Sequence, residues 1–159
     1  MDELLKILKQ NALESAENIG KMLNITADEV RARIADYEKQ GIIKGYQAIV
    51  NEDELKMDRV TAVIEVRVSP EREGGFNHIA SRISRFKEVH SIYLMSGDFD
   101  LLLFVVGRDL KEVAFFVSEK LATISGVQGT ATHFMLKTYK HHGVLMESQD
   151  EYERLKVSP

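Results

Sequence analysis

The strongest constraint on the fold is an ordered series of strand and helix patterns in the C-terminal two thirds of the chain. From Val60 to Ser69, apolar residues occupy every second position, which is the period of a strand with one buried face. Leu101 to Val106 is continuously apolar, as in a central strand covered on both faces. The patterns run strand, helix, strand, strand, helix, strand, over residues 60–69, 76–86, 88–96, 101–106, 110–121 and 127–138. This βαββαβ order predicts a ferredoxin-like domain over residues 60–140.

The first fifty residues have helical spacing and predict a separate domain of three short helices. Ser15 is a candidate N-cap for the second helix, which should turn Ile19, Met22 and Leu23 inward. Thr26 is followed three residues later by Glu29, a capping box that opens the third helix. The remaining helix signals are the apolar stripe Leu4, Leu5 and Leu8 within a helix over residues 2–11, the inward face Val30, Ile34 and Tyr37, and the terminating Gly41.

The segments between and after these domains are predicted from composition. Residues 42–50 are rich in β-prone side chains and predict an extended strand that leads out of the helical domain. Residues 51–59 are polar and predict a hinge linker. Residues 141–159 form a polar tail in which only residues 147–156 are compatible with a short helix. The fold class is therefore α+β.

Composition excludes several function classes. The chain has no cysteine, which removes disulfides, thiolate metal sites and cysteine nucleophiles and fits a reducing cytoplasm. It has no apolar run of 18 residues, so no membrane partner is expected. The net charge is −4, and the first fifty residues carry seven basic and eight acidic side chains. Because DNA binders are usually basic, any grip on phosphates must come from local clusters or from several copies acting together.

Two helices joined by a tight turn, the second opened by a capping box, fit a helix-turn-helix that binds double-stranded DNA. The exposed N-terminal half of the helix over residues 27–40 would reach base edges, and basic side chains around it would contact phosphates. The candidates for base edges are Ala27, Asp28, Arg31 and Ala32, and Arg31 could instead clamp a phosphate. The candidates for phosphates are Lys21, Arg33, Lys39 and Lys44, and Thr26 completes the predicted DNA-binding set. The alternative is a helical hairpin that binds no nucleic acid, with Asp28 and Glu29 explained by the helix dipole and the capping box.

The whole chain from residue 4 to about 140 resembles the Lrp/AsnC family of leucine-responsive, or feast/famine, regulators. The stretches that carry the resemblance are Ile19–Thr26, Val30–Ile34 with Gln40–Tyr46, Tyr93–Asp100 and Gly126–Thr132. The resemblance implies a winged helix-turn-helix joined to a ferredoxin-like effector domain. It also implies homodimers that pair through their sheets, with tetramers or octamers as higher assemblies, and an amino acid or related small molecule bound between dimers.

Carried over by position, the resemblance implies an effector site near the Gly-Asp turn, formed by Tyr93, Gly97, Asp98, Asp100, Ala122, His133 and Phe134. A turn at Gly97 exposes backbone N–H groups that can hold a carboxylate, and Asp98 or Asp100 can hold an ammonium group. The alternatives are an ordinary hairpin turn and sheet-packing aromatic residues. His133, and the adjacent His141 and His142, lack the spacing of metal ligands, so neither a metal nor a cofactor is expected.

The sequence departs from the family pattern at Leu13, where many members carry Arg, and in an acidic third helix with Asp28, Glu29, Asp36 and Glu38. These differences leave the fold intact and bear on DNA affinity. The expected regulator is not an enzyme. Two other functions remain as alternatives to it. One is a sirohaem-type tetrapyrrole decarboxylase, because some relatives share the two-domain plan, although no constellation of His, Tyr and Arg supports it. The other is a sensor or assembly module with weakened DNA binding.

Overall fold

The computed structural model describes residues 1–55, 58–69 and 75–146. The chain divides into two compact units, Met1–Val50 and Asn51–Pro159. The short helix predicted near residues 147–156 lies outside the described residues.

The N-terminal unit contains three helices, each capped by the side chain that precedes it. They are α1 (Glu3–Gln10), α2 (Ala16–Leu23) and α3 (Ala27–Lys39). Asp2, Ser15 and Thr26 accept hydrogen bonds from the backbone N–H groups of Leu4, Asn18 and Glu29, at 2.7, 3.1 and 3.2 Å. The predicted caps at Ser15 and Thr26 are thus confirmed. Gly41 follows α3 with φ +69°, the left-handed conformation that ends a helix at low cost for glycine.

A small apolar core joins the three helices. Leu4, Leu8, Ile19 and Val30 are buried, and partly buried side chains such as Ile34 and Tyr37 pack around them. Met22, predicted to face inward, is 61% exposed. Ile19 and Leu23, four residues apart, lie on the side of α2 that packs on the core. Met22 lies at the border of that side, where it is open to solvent.

The strand predicted over residues 42–50 is not formed among the described residues. Ile43 packs on the helical core, whereas Ile42, Tyr46, Ile49 and Val50 are exposed. A β-prone segment becomes a strand only when a neighbouring strand accepts and donates its backbone hydrogen bonds, and the described part of this chain supplies none.

The second unit is the predicted βαββαβ domain. Its elements are β1 (Val60–Val68), α4 (Gly75–Ile83), β2 (Val89–Leu94), β3 (Leu101–Gly107), α5 (Leu110–Phe115), which continues as the π-helical segment Phe116–Leu121, and β4 (Val127–Phe134). The strand order is β2-β3-β1-β4, with every neighbouring pair antiparallel. This is the ferredoxin-like arrangement, so the α+β fold class is confirmed.

The two faces of the sheet differ in burial. Alternate residues of β1 and β3, among them Ile64 and Leu103, are fully buried beneath α4, α5 and the π-helical segment. The residues between them, including Leu102 and Phe104, are only half-buried. The prediction that β3 is covered on both faces is therefore wrong for a single chain within the described residues. The apolar side chains of its second face point away from the helices.

A short hairpin follows the last long strand and was missed from the sequence. Strands β5 (Lys140–His141) and β6 (Val144–Leu145) are joined by His142 and Gly143, with φ values of +46° and +87°. Two consecutive residues with positive φ are typical of the two-residue turn that matches the twist of a hairpin. Histidine is not a usual residue for the first position, so the composition of the tail gave no turn signal.

Candidate DNA-binding surface and effector site

The turn between α2 and α3 depends on two backbone features. Asn24 adopts the left-handed conformation with φ +54°, and the N–H of Ile25 donates to the carbonyl of Gly20 at 3.0 Å. A Cβ atom at Gly20 would lie 2.7 Å from the carbonyl oxygen of Ile25. Only glycine therefore allows the turn to come this close to α2. Sequence reasoning missed this role of Gly20, because the contact depends on the path of the turn.

This turn orients α3 so that one side packs on the core and the other faces solvent. Val30 is buried, and Ile34 and Tyr37 are half-buried on the same side. Of the predicted DNA-binding residues, Ala27 is half-buried, and the exposed ones are Lys21, Thr26, Asp28, Arg31, Arg33, Lys39 and Lys44. An open groove of about 480 Å³ lies over the turn, lined by Glu17, Gly20, Lys21, Asn24, Ile25, Thr26 and Glu29.

The capping box at the start of α3 is only half formed. The Thr26 hydroxyl accepts from the Glu29 N–H, as predicted. The Glu29 carboxylate, however, accepts from Arg33 Nη2 at 2.7 Å instead of returning to the backbone of Thr26. An arginine one helical turn away is a charged donor and competes with the neutral N–H.

The two arginines of α3 are both held by carboxylates. Arg31 Nη1 donates to Asp28 Oδ1 at 2.9 Å, and Arg31 Nη2 donates to Glu17 Oε1 in the first turn of α2. A hydrogen bond from its own backbone N–H and, next, the charge of Arg31 lower the pKa of Glu17 from its usual value. Glu17 is therefore ionised at neutral pH. Its contact with Arg31, from another helix, was not predicted from the sequence.

The lysines of the same unit differ from these arginines. Within the described residues, Lys21, Lys39 and Lys44 make no ion pair. Their charges are available to an external anion, whereas a phosphate that approaches Arg31 or Arg33 meets carboxylates first.

In the second unit, three hydrogen bonds made by Asp100 hold the Gly-Asp turn. Gly97 has φ +127°, and the N–H of Met95 donates to the Asp100 carbonyl at 2.8 Å. Asp100 Oδ2 accepts from the backbone N–H of Val68 at 2.8 Å, and its own N–H donates to Val66. One carboxylate oxygen of Asp100 thus anchors the turn to β1, while Asp98 is exposed.

The other predicted effector residues are spread across the domain. Tyr93 lies on β2 and packs edge-on against Phe104, with ring centroids 6.2 Å apart. His133 and Phe134 lie on β4, the opposite edge of the sheet, and His133 Nε2 is 3.4 Å from Glu65 Oε1. Strands are spaced about 4.8 Å apart, so roughly 14 Å separates β2 from β4. Ala122 follows the π-helical segment. One copy therefore does not gather these residues around a single small ligand.

Residues 1–55, 58–69 and 75–146 lack two further classes of site. In these ranges, no group of three or more His, Cys, Asp or Glu side chains is arranged to hold a metal ion. The helices found there are too short or too polar to traverse a bilayer.

Sequence comparison relates the chain to transcriptional regulators. Residues 61–145 match the Lrp/AsnC ligand binding domain. The chain is 45% identical over 160 residues to a Bacillus subtilis (strain 168) protein, Uncharacterized HTH-type transcriptional regulator YugG, covering 99% of this chain and 95% of that protein. It is 31% identical over 137 residues to the HTH-type transcriptional regulator LrpA of Pyrococcus horikoshii, covering 86% and 94% of the two chains.

Solved structures share the fold. A Neisseria meningitidis transcriptional regulator in complex with L-Met superposes with a TM-score of 0.69 at 23% identity, covering 89% of this chain and 93% of that one. The leucine response regulatory protein of Mycobacterium tuberculosis gives a TM-score of 0.73 at 16% identity, covering 92% and 100%.

Proposed function

The chain belongs to the Lrp/AsnC family of transcriptional regulators, and from this premise we propose that it is a cytoplasmic, sequence-specific binder of double-stranded DNA whose assembly responds to an amino acid. The observation that carries the proposal is the capped helix α3. Its inner side packs through Val30, and its outer side exposes Asp28 and Arg31 in the N-terminal half. That half of a recognition helix is the part that reaches base edges in the major groove.

The basic side chains around α3 support two different roles in DNA binding, one toward phosphates and one toward base edges. Lys21, Lys39 and Lys44 are exposed and would contact phosphates, which fix the orientation of the helix on the duplex. Arg31 lies one turn into α3 and would donate to a base edge, for which guanine offers two acceptors. Because the eight acidic residues of residues 1–50 outnumber the seven basic ones, each copy binds weakly and useful affinity requires two or more copies on one DNA molecule.

The second face of the sheet supports self-association. Leu102, Phe104 and Val106 are apolar and only half-buried in one chain, and Tyr93 stands beside them on β2. Pairing of two such faces would bury these side chains and carry two copies of α3 on one dimer. Tetramers or octamers would extend the same principle.

The distribution of the candidate effector residues supports a site completed by more than one copy. Tyr93 lies on β2 at one edge of the sheet, and His133 and Phe134 lie on β4 at the other edge. Gly97 and Asp98 lie in the turn after β2, and Asp100 is bound to the inner strand β1. A relative of the same fold was solved with L-Met, which supports an amino acid as the class of effector. Binding between copies would favour one assembly over another and so change DNA occupancy.

The proposal is tested by selecting duplexes from a random pool with the purified chain. Gel shift and solution mass are then measured with and without each of the twenty amino acids. We expect salt-dependent retardation of a selected duplex, a mass of at least a dimer, and a change in either with one amino acid or a small group of them. A chain that stays monomeric and retards no duplex at micromolar concentration would contradict the proposal. Spectral changes on adding a sirohaem-type tetrapyrrole would support the enzyme alternative instead.

A further inference from the structure

The guanidinium of Arg31 is shared between two helices of the helix-turn-helix. Asp28, one turn earlier on α3, accepts from Nη1 at 2.9 Å, and Glu17 on α2 accepts from Nη2. We call these three side chains the Glu17–Arg31–Asp28 network. All of them are exposed, with 58%, 55% and 95% of the side-chain surface open to solvent. The network lies on the exposed surface that is proposed to face DNA, and exposed ion pairs contribute little to the stability of a fold.

The network carries one positive and two negative charges. A phosphate that approaches the remaining N–H groups of Arg31 is repelled by both carboxylates, and it gains either of the other two N–H groups only by displacing a carboxylate. Affinity for DNA of any sequence comes almost entirely from neutralising phosphates. An arginine held in this way therefore adds little to sequence-independent binding, in contrast to Lys21, Lys39 and Lys44, which make no ion pair in the part of the chain that the structure describes.

A base edge can donate hydrogen bonds to the carboxylates of the network as well as accept them from Arg31, whereas a phosphate can only accept. The exposed Asp28 carboxylate can accept from the amino group of cytosine, and the remaining N–H groups of Arg31 can donate to base acceptors. Specificity is the difference between the affinity for the correct site and that for all others, so suppressing phosphate contacts increases it.

We propose that Glu17 is a specificity-determining residue: by holding Arg31 within the network, it keeps this guanidinium from phosphates and weakens binding to DNA of random sequence. This inference rests on the proposed DNA-binding function. Glu17 acts through Arg31 and is in that sense a positioning residue. Because Glu17 lies on α2, it can be changed without altering the sequence of the recognition helix.

The test compares E17Q with E14Q by fluorescence anisotropy, using a random duplex and a duplex selected by the unaltered chain, over a series of salt concentrations. Glu14 is the matched control, since its carboxylate accepts from the amides of Asn11 and Asn18 and forms no ion pair with any residue that the structure describes. We expect E17Q to bind the random duplex roughly fivefold more tightly, the scale of an exposed ion pair. Its salt dependence should steepen by about one unit of slope. The ratio of selected to random affinity should fall, and E14Q should match the unaltered chain.

The same substitution in an Arg31→Ala background separates the network from a general effect of charge. Without Arg31, E17Q should leave the random-duplex affinity within about twofold of its background. The inference is overturned if E17Q binds random DNA no more tightly than E14Q, or if its gain persists without Arg31. If the unaltered chain still prefers its selected duplex in that event, the DNA-binding function stands and only the role of Glu17 is lost. If neither the unaltered chain nor any variant binds a duplex, the proposed function and this inference both fail.

Discussion

The hydroxyl of Tyr37 donates a hydrogen bond of 2.9 Å to Oδ2 of Asp2, thirty-five residues earlier in the chain. The other oxygen of the same carboxylate accepts from the N–H of Leu4 and caps α1. Asp2 thus joins the first turn of α1 to the third helix, the one proposed to enter DNA. The hydrogen bond to Tyr37 is the largest cause that lowers the pKa of Asp2 and the largest that raises the pKa of Tyr37.

These two pKa shifts predict a pH window for the stabilising effect of Tyr37. The lowered pKa of Asp2 gives stability that is present above about pH 4 and is lost as the pH falls through the folded-state pKa. The raised pKa of Tyr37 gives stability that is present below about pH 10 and is lost as the pH rises further. We expect Tyr37→Phe to lower the unfolding temperature at pH 7, with a smaller difference from the unaltered chain at pH 3 and at pH 11.

Circular dichroism at 222 nm, followed against temperature at each pH, measures this difference. Tyr139→Phe is the control, because Tyr139 is 64% exposed and its ring lies under Lys137 without a role in joining helices. A deficit in Tyr37→Phe that stays constant from pH 3 to pH 11 would show that lost packing, and not the hydrogen bond, is responsible.

A second prediction concerns Glu88, whose carboxylate is the least exposed among the ion pairs found in the described part of the ferredoxin-like domain. The Glu88 side chain is 11% exposed, Oε1 accepts from Lys120 Nζ at 2.6 Å, and Oε2 has no partner among the described residues. Burial opposes the charge of Glu88, but the hydrogen bond from Lys120 and one from its own backbone N–H leave its pKa below the usual value. Lys120→Met keeps an unbranched side chain of similar length but removes the positive charge, and with it the ion pair to Glu88 and the cation–π contact with Phe86.

We expect Lys120→Met to lower the free energy of unfolding by about 1–2 kcal/mol at pH 7, less than for a fully buried pair because Lys120 is 43% exposed. Without Lys120, burial should raise the pKa of Glu88 above its unfolded value, so the loss should shrink as the pH falls from 7 to 4. Urea unfolding at both pH values measures it. A further Glu88→Gln change in Lys120→Met should recover most of the loss at pH 7, and no recovery would contradict a buried-charge cost.

The parts of this structure that the sequence predicted are those fixed by local chemistry. Ser15 and Thr26 cap helices because their hydroxyls reach an N–H three residues away, and the order of strands and helices follows from the period of the apolar residues. The contacts that sequence reasoning missed join residues that only folding brings together. Glu17 meets Arg31 across two helices, and Gly20 is required by the path of a turn that starts four residues later.

The candidate effector site could not be predicted in full from the sequence, for a different reason. The apolar pattern and the family resemblance place Tyr93 and His133 on strands. They do not show whether the two residues would line a site within one copy or a site shared by two copies. Tyr93 and His133 lie on opposite edges of one sheet, so the proposed site can include both only if a second copy contributes to it. Residues 42–50 pose the same problem, since a segment rich in β-prone side chains forms a strand only beside a partner.

A third prediction concerns Gly126, the residue before β4. Gly126 has φ +92°, and a Cβ atom there would lie 2.6 Å from Ile79 Cδ1 and 3.3 Å from the carbonyl oxygen of Ser69. Gly97, at φ +127°, has open space around the same position. Alanine is strained at both sites, but only Gly126→Ala also overpacks the core. We expect Gly126→Ala to cost about 1–3 kcal/mol more than Gly97→Ala in urea unfolding. Equal costs would show that Ile79 moves aside freely.

The last prediction concerns Lys39, one of the exposed lysines that are proposed to contact DNA phosphates. Lys39, in the last turn of α3, makes no ion pair within the described residues, so its contact with a phosphate displaces no carboxylate. Replacing it with alanine should weaken binding to selected and random duplexes by a similar factor and reduce the salt slope by about one, because a phosphate contact carries no sequence information. Anisotropy titrations over salt give both quantities. Lys140→Ala, on the hairpin of the other unit, is the control for a lost positive charge. A change of sequence preference in Lys39→Ala, or the same reduction in slope in Lys140→Ala, would contradict the assignment of Lys39 to phosphate.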